Sequence, residues 1–214
     1  MKRLAWVLTA ALSTWAGSFG VTHADVAAGV SIGDDGVKGF YLAVGDFYRV
    51  PERDVFRVRE RRVPDDELPV VFFLAARAQV APDVIIDLRI GEGRSWLEIG
   101  ARYGLGPEVY YVPLERDPGP PYGKAYGYYK NKPRQSWNEI ALSDADIVNL
   151  VNLKFVSGQY GYSADQVAAM RAKGDNFVNI HGKVKASKAK NSGAKQASTG
   201  EKGKGSPGKG KKKP

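Results

Sequence analysis

Cysteine is absent from the 214-residue chain, and histidine occurs only twice. Without cysteine there are no disulfide bonds, no thiol nucleophile and no thiol for lipid attachment. His23 lies in an N-terminal segment that we expect to be removed, so the mature chain keeps only His181, at the edge of a basic tail. We therefore expect no Ser-His-Asp or Cys-His catalysis, no multi-histidine metal site and no cofactor.

Long apolar runs are also scarce, and the clearest one is N-terminal. Lys2 and Arg3 precede an apolar stretch over residues 4–21, and small residues end it at Ala24. This order predicts a Sec-type signal peptide over residues 1–24 with cleavage after Ala24. The alternative is a retained membrane anchor, which the two glycines within the run disfavour. We expect a periplasmic or secreted protein without a transmembrane segment after cleavage.

Acidic residues are nearly absent from the C-terminal segment, residues 183–214. This segment has a net charge of +10, whereas the whole chain has a net charge of +9. Lys2 and Arg3 add +2, so residues 25–182 carry −3. A lysine- and glycine-rich composition predicts a disordered tail that binds anionic envelope polymers, anionic lipid or nucleic acid. The predicted polyanion-binding residues are Lys183, Lys185, Lys188, Lys190, Lys195, Lys202, Lys204, Lys209, Lys211, Lys212 and Lys213.

One kind of corner recurs along residues 25–182: an apolar residue, then proline or serine, then a second apolar residue five positions after the first. The four apolar pairs are Val50 and Val55, Val80 and Ile85, Leu105 and Tyr110, and Tyr162 and Val167. Proline suits the first turn of a helix because its missing N–H would lack a partner there. The four copies predict pairs of short helices that meet at tight corners.

A second pattern follows the corners. An arginine comes four residues after the second apolar residue in three copies, at Arg59, Arg89 and Arg171. An apolar anchor lies nine or ten residues after each arginine, at Leu68, Ile99 and Ile180. Trp96 and Phe177 are equivalent at an offset of about 81 residues. We interpret this as a diverged helical repeat in which each unit packs on its neighbours. The three arginines could bind a ligand, but solvated or ion-paired arginines at helix ends are the favoured interpretation.

The stretch from Ser95 to Leu105 is also similar to the first helix and turn of a DNA-binding helix-turn-helix. The following segment, PEVYYVP at residues 107–113, is short and has no side chain suited to base edges. We therefore keep DNA recognition only as an alternative, to be considered if the signal peptide is not used.

Individual helices follow from periodicity and capping. Apolar residues at helical spacing favour a helix over residues 39–48, and the β-rich composition of this stretch leaves a strand as the alternative. At most one brief strand is expected before it, at Val30–Ile32. Asp65 or Asp66 should cap a helix whose apolar run, residues 70–74, is the most buried part of the protein. Helices are expected at about 83–91 and 95–104, and Ser143 or Asp144 should cap a long one.

Residues 106–143 are rich in proline and tyrosine and predict a long ordered loop. We favour packing of its rings on the helices, but their position beside lysine and arginine makes them the candidate ligand surface. Those residues are Tyr122, Tyr126, Tyr128, Tyr129 and Trp137. An alternative function is a carboxylate-dependent enzyme acting on envelope glycans, with Glu108, Glu115 and Glu139 as candidate acids.

Four runs carry a resemblance over most of the mature body: FYLAVGDFYRVPERDV, RRVPDDELPVVFF, GPPYGKAYGYYKN and LSDADIVNLVNLKF. They resemble a group of uncharacterised secreted bacterial proteins that pair a helical body with a Lys/Gly-rich C-terminal tail. The resemblance implies no activity and no catalytic residues.

We therefore predict a mainly α protein, built as an array of short helices with a diverged repeat. The helical domain covers residues 25–182, with a first unit at about 39–105, the loop at 106–143 and a second unit at 144–182; residues 183–214 form the tail. The expected function is that of an exported, non-enzymatic interaction or scaffold protein with an unknown protein partner.

Overall fold

The computed structural model describes residues 34–200, with side chains described for residues 36–190. The predicted signal peptide, its cleavage site and the strand at Val30–Ile32 lie outside these residues. Between residues 34 and 200 the regular elements are helices and no strand occurs, so the mainly α prediction is confirmed. The α-helices are α1 Asp34–Tyr48, α2 Glu52–Glu60, α3 Leu68–Ala78, α4 Pro82–Ile86, α5 Trp96–Arg102, α6 Gly123–Asn131, α7 Asp144–Tyr160, α8 Ala164–Ala172 and α9 Phe177–Gly200.

Shorter elements complete the helical array. Asp87–Gly91 continues α4 as a π-helix, and 3-10 turns lie at Asp65–Glu67, Pro107–Tyr110 and Arg134–Glu139. The predicted helix at residues 39–48 is confirmed as part of α1, whose buried face includes Phe40.

The four predicted corners are present and share one backbone conformation. The residue before each corner's first apolar residue has positive φ: Arg49 (58°), Gln79 (55°), Gly104 (71°) and Gly161 (70°). A single left-handed residue ends a helix and turns the chain sharply. Between Asp65–Ala78 and Pro82–Gly91 the bend is 119°, which is the range of a helix-turn-helix corner.

Backbone hydrogen bonds close these corners in two related ways. In three of them the first apolar residue donates its N–H to a carbonyl five residues earlier: Val50 to Gly45 (2.8 Å), Val80 to Ala75 (3.1 Å) and Leu105 to Gly100 (3.0 Å). In the fourth, Gly161 donates to Ser157 at 2.9 Å. These are the Schellman and αL endings of a helix, so the corners are real structural equivalents.

Packing explains the five-residue spacing within each corner. The second apolar residues, Val55, Ile85, Tyr110 and Val167, are all completely buried. A small residue lies ten positions before each of them, at Gly45, Ala75, Gly100 and Ser157. A Cβ at Gly45 would lie 2.8 Å from Cγ2 of Val55, and one at Gly100 would lie 2.6 Å from the Tyr110 hydroxyl oxygen. The small residue therefore lets the second helix approach the first.

The repeat appears as a reciprocal exchange between α3–α4–α5 and α7–α8–α9. Asp144, at the start of α7, accepts the Trp96 N–H at the start of α5 (2.7 Å). The carboxylate of Asp66, before α3, interacts with the backbone N–H of Phe177 at the start of α9, and this interaction opposes the rise in its pKa that burial causes. Trp96 and Phe177 are both completely buried, as their equivalence predicts. Each unit thus supplies a carboxylate to the first N–H of a helix in the other unit.

Each of the three repeated arginines lies over an aromatic ring. The guanidinium carbons lie 5.5 Å from the Tyr41 ring for Arg59, 4.7 Å from Trp96 for Arg89 and 5.3 Å from Phe177 for Arg171. Arg89 also forms ion pairs with Glu67 (2.9 Å) and Asp144 (2.6 Å). Among the three, the described contacts give ion pairs to Arg89 alone, while Arg171 donates to Asn149 Oδ1 and the Asp175 carbonyl and Arg59 is exposed.

The centre of the core is α3, which packs against α7. Residues 70–74 are at most 4 % exposed, as the sequence predicts. The predicted Asp65 or Asp66 cap is wrong, because no side-chain cap precedes α3 and the Asp66 carboxylate is used by Phe177. Ser143 does cap α7, accepting from the Asp146 N–H.

Helices extend into two segments for which the sequence predicts no regular structure. The tail was expected to lose order at residue 183, but α9 continues to Gly200 and Val184 is 1 % exposed, because it lies on the same helix face as Phe177 and Ile180. Residues 106–143 are not simply a loop, since they contain α6 and two of the 3-10 turns.

Candidate functional site

Helix α9 carries the lysine-rich segment from the core to the surface. Phe177 and Ile180 are completely buried and Val184 is nearly so, since residues three and seven apart share a helix face. From Lys185 through Lys190 every side chain is exposed. One helix thus begins as part of the core and continues as a basic surface element.

The lysines of α9 are not equivalent. Lys183 donates to both carboxylate oxygens of Asp175 at 2.7 Å, and Lys188 lies 5.9 Å from the centroid of the Tyr160 ring. Lys185 and Lys190 are exposed. The side chain of Lys195 lies outside the described residues, as do Lys202, Lys204, Lys209, Lys211, Lys212 and Lys213. Residues 183–200 contain five lysines and no acid, so this length of helix is uniformly positive.

His181 packs the buried N-terminal part of α9, here called its root, against the rest of the body. It is 2 % exposed, its Nδ1 lies 2.5 Å from the Tyr160 hydroxyl, and its ring meets Phe40 edge-on at 5.9 Å. Burial, with the nearby Lys185 charge, lowers the pKa of His181 to about 4. The imidazole is therefore neutral at neutral pH, and its role here is packing and hydrogen bonding.

The candidate ligand surface is wrong for three of its five residues. Tyr122, Tyr129 and Trp137 are at most 8 % exposed. The Tyr129 hydroxyl donates to the Pro107 carbonyl at 2.6 Å, and Trp137 Nε1 donates to the Tyr129 carbonyl at 3.2 Å. These rings pack in the core and link the parts of residues 106–143 through hydrogen bonds, which agrees with the favoured interpretation. The reason is that α6 and its N-cap residue Tyr122 place the rings of Tyr122 and Tyr129 in the core, which a loop need not do.

The remaining aromatic residues have different positions. Tyr126 is half-buried, donates its hydroxyl to the Val112 carbonyl and lines a cavity of about 370 Å³, here called the tyrosine cavity. Tyr128 is half-buried and does not line it. The residues around the tyrosine cavity are Tyr111, Leu114, Glu115, Arg116, Asp117, Pro118, Gly123, Tyr126, Gly127, Tyr129 and Lys130.

Tyr111 lines both the tyrosine cavity and a second cavity, although it is not among the residues predicted to form the ligand surface. Its ring contacts Trp137 at 4.7 Å and also lines a second cavity of about 560 Å³ with Glu108 and Arg134. Volumes of this size suit small ligands. Rings, acids and cations are mixed around both cavities, so their lining does not select one ligand chemistry.

The three candidate acids are dispersed over this region. Glu115 borders the tyrosine cavity, Glu108 borders the second one, and Glu139 is ion-paired with Lys132 at 2.8 Å. They do not line a common cavity among those found around the described residues. This arrangement gives no specific support to a two-carboxylate mechanism.

Comparison of the chain with protein-family models, with curated proteins and with solved structures finds no match. Within residues 34–200, no group of three or more histidine, cysteine, aspartate or glutamate residues is placed to hold a metal ion. In the same part of the chain, no single helix is both long enough and apolar enough to cross a membrane.

Proposed function

We propose that the protein is an exported, non-enzymatic binding or scaffold protein. Its helical body serves as a rigid base, and α9 with the lysines that follow it binds a polyanion. The polyanion is an anionic envelope polymer, anionic lipid or nucleic acid, and the body is left for a protein partner.

The observation that carries this proposal is the division of α9 into a buried root and an exposed basic part. Phe177, Ile180 and His181 hold the helix to the body, so the exposed lysines beyond Val184 project from a fixed point. A run of positive charge without acids attracts extended anions over a Debye length of about 10 Å at 0.1 M salt.

The chemistry of lysine supports contact with a charged surface rather than with one shaped ligand. Lysine carries a compact charge on a flexible stem and lacks the planar fork by which arginine fixes a partner's geometry. All basic residues of the segment 183–214 are lysine. Binding should therefore be indifferent to sequence and strongly dependent on salt.

A charge-matched pair of variants tests the proposal on a heparin column. In the test variant Lys185, Lys188 and Lys190 become glutamine; in the control Lys38, Lys124 and Lys173 do. All six lysines are exposed and each variant loses three charges, so net charge is equal. The test variant should elute at clearly lower salt than the mature protein, whereas the control should elute close to it. Equal shifts in both variants would show that net charge alone governs retention and would refute a role for α9.

Export is tested separately, by determining the N-terminus of the protein and the compartment in which it is found. Mass spectrometry of fractionated cells should find the N-terminus at Asp25, outside the cytoplasm. An intact Met1 N-terminus in the cytosol would contradict export and return helix-turn-helix DNA binding as the leading alternative.

A further inference from the structure

Two cations share one aromatic ring at the junction of α1, α3 and α7. The guanidinium carbon of Arg77 lies 5.2 Å from the centroid of the Phe73 ring, and Nζ of Lys154 lies 5.4 Å from the same centroid. No carboxylate among the residues with described side chains forms an ion pair with either cation. Two like charges therefore lie beside one ring, and no described carboxylate is ion-paired with either of them.

Lys154 of this pair is half-buried and Arg77 is exposed. Their surroundings differ from those of Arg89, a half-buried cation over the Trp96 ring. Arg89 has two carboxylates, Glu67 and Asp144, within 3 Å. Lys154 instead donates to the Val109 carbonyl at 2.9 Å, and burial together with the nearby Arg77 charge lowers its pKa. Proteins normally pair a partly buried charge, and an unpaired like-charge pair in a concave site is a feature of anion-binding sites.

A cavity of about 260 Å³ lies beside the two cations, and its lining is otherwise mainly apolar. It is lined by Phe47, Tyr48, Phe73, Ala76, Arg77 and Lys154. Gly158 of α7 allows the Phe47 wall, since a Cβ there would lie 2.6 Å from Cε2 of that ring. Tyr48 has a buried hydroxyl with no hydrogen-bond partner among the described residues. The cavity thus combines ring walls with two cations.

We propose that this cavity binds a small organic anion, with Arg77 and Lys154 contacting its carboxylate and the rings of Phe47 and Phe73 contacting its apolar body. An anion would supply the counter-charge that the body lacks. Ligand cavities usually measure about 300–1,000 Å³, so this one suits a free molecule of the size of benzoate rather than a lipid chain. None of the lining residues belongs to α9, so the site is independent of polyanion binding.

Calorimetric titration of the mature protein tests the proposal with three probes: benzoate, its neutral analogue benzamide, and inorganic phosphate. Benzoate should bind at least tenfold more tightly than benzamide, because only benzoate supplies a charge. It should also bind more tightly than phosphate, because phosphate has no apolar body for the rings. Equal affinity for benzoate and benzamide, or tighter binding of phosphate, would overturn the assignment.

Variants then locate the site. Arg77→Gln and Lys154→Met each remove one cation and should weaken benzoate binding at least tenfold. The control is Arg53→Gln, which removes an equal charge from an arginine whose side chain is 82 % exposed, and it should leave affinity unchanged. Arg77 is exposed, so its variant should fold even if the Lys154 variant does not. Unchanged benzoate affinity in Arg77→Gln would refute the proposal.

Discussion

Mild acid should destabilise this protein through His181, the root of α9. Burial lowers the pKa of His181 from 6.5 to about 4 in the folded protein. The unfolded chain exposes the imidazole, which then takes up a proton below its ordinary pKa of about 6.5. Because the folded pKa is the lower of the two, the stability is complete above pH 6.5 and is lost as the pH falls from 6.5 towards 4.

The size of the effect follows from this difference in pKa. One pKa unit corresponds to about 1.4 kcal/mol. At pH 5, which is about 1.5 units below the pKa of an exposed histidine, protonation stabilises the unfolded chain by that difference. His181 alone should therefore reduce the free energy of unfolding by about 2 kcal/mol between pH 7.5 and pH 5. Two groups act on the imidazole. The Tyr160 hydroxyl contacts it, and burial together with the Asp46 charge raises the pKa of Tyr160 to about 12. The charge of Lys185 adds to the effect of burial on the pKa of His181.

Urea unfolding of the mature protein and of His181→Gln at the two pH values isolates the contribution of His181 to the free energy of unfolding. The carboxylates are the same in the wild type and the variant, so the difference between the two pH dependences is due to His181. Glutamine can still accept from or donate to Tyr160 and cannot titrate. The wild type should lose about 2 kcal/mol more than the variant on acidification. Identical losses would refute the reasoning, because they would mean that His181 takes up its proton in the folded state.

Three further predictions concern the repeat and its corners. Trp96→Ala and Phe177→Ala should each destabilise by about 3–5 kcal/mol in urea unfolding, since both rings are completely buried; a loss below about 1 kcal/mol would contradict their equivalence. Gly100→Ala should cost about 1–3 kcal/mol by overpacking against Tyr110, whereas Gly127→Ala, which meets nothing within 4 Å, should not destabilise its helix. Burial raises the pKa of Asp66, so its ionised form opposes folding. Asp66→Asn should therefore raise the melting temperature at pH 7 and raise it less at pH 4. Equal shifts at both pH values would contradict this.

The corners could be predicted from sequence because they depend on local chemistry. The spacing of Val80 and Ile85 about a proline reflects helix ends that are built from neighbouring residues. What remained hidden was the small residue five positions earlier, such as Ala75. Its importance arises only when the second helix packs back on the first, as the Gly100 and Tyr110 contact shows.

Long-range contacts account for the errors. Asp66 has the position of a helix cap, but the Phe177 N–H, distant in sequence, takes its carboxylate. The composition of residues 183–190 favours disorder, yet the buried Val184 and the ion pair of Lys183 with Asp175 continue the helix. Neither effect is visible in the local pattern.

The candidate sites were predictable to different degrees. The lysine segment is a property of composition, so the sequence identified it directly. The cation pair of Arg77 and Lys154 could not be identified, because residues far apart in the chain meet only after α3 and α7 pack over Phe73. Tyr122 and Trp137 show the opposite case, in which an apparent surface cluster is used as core.

Polyanion binding through α9 is tested most directly by the salt dependence of affinity for a duplex DNA, measured by fluorescence anisotropy. The comparison is between the mature protein and a truncated protein that ends at Ala186, which keeps the buried Val184. The mature protein should show a log–log slope of about 0.9 for each phosphate neutralised, and truncation should remove most of that slope and most of the affinity. If the truncated protein binds as tightly and with the same slope, the polyanion contacts the body and the account is wrong.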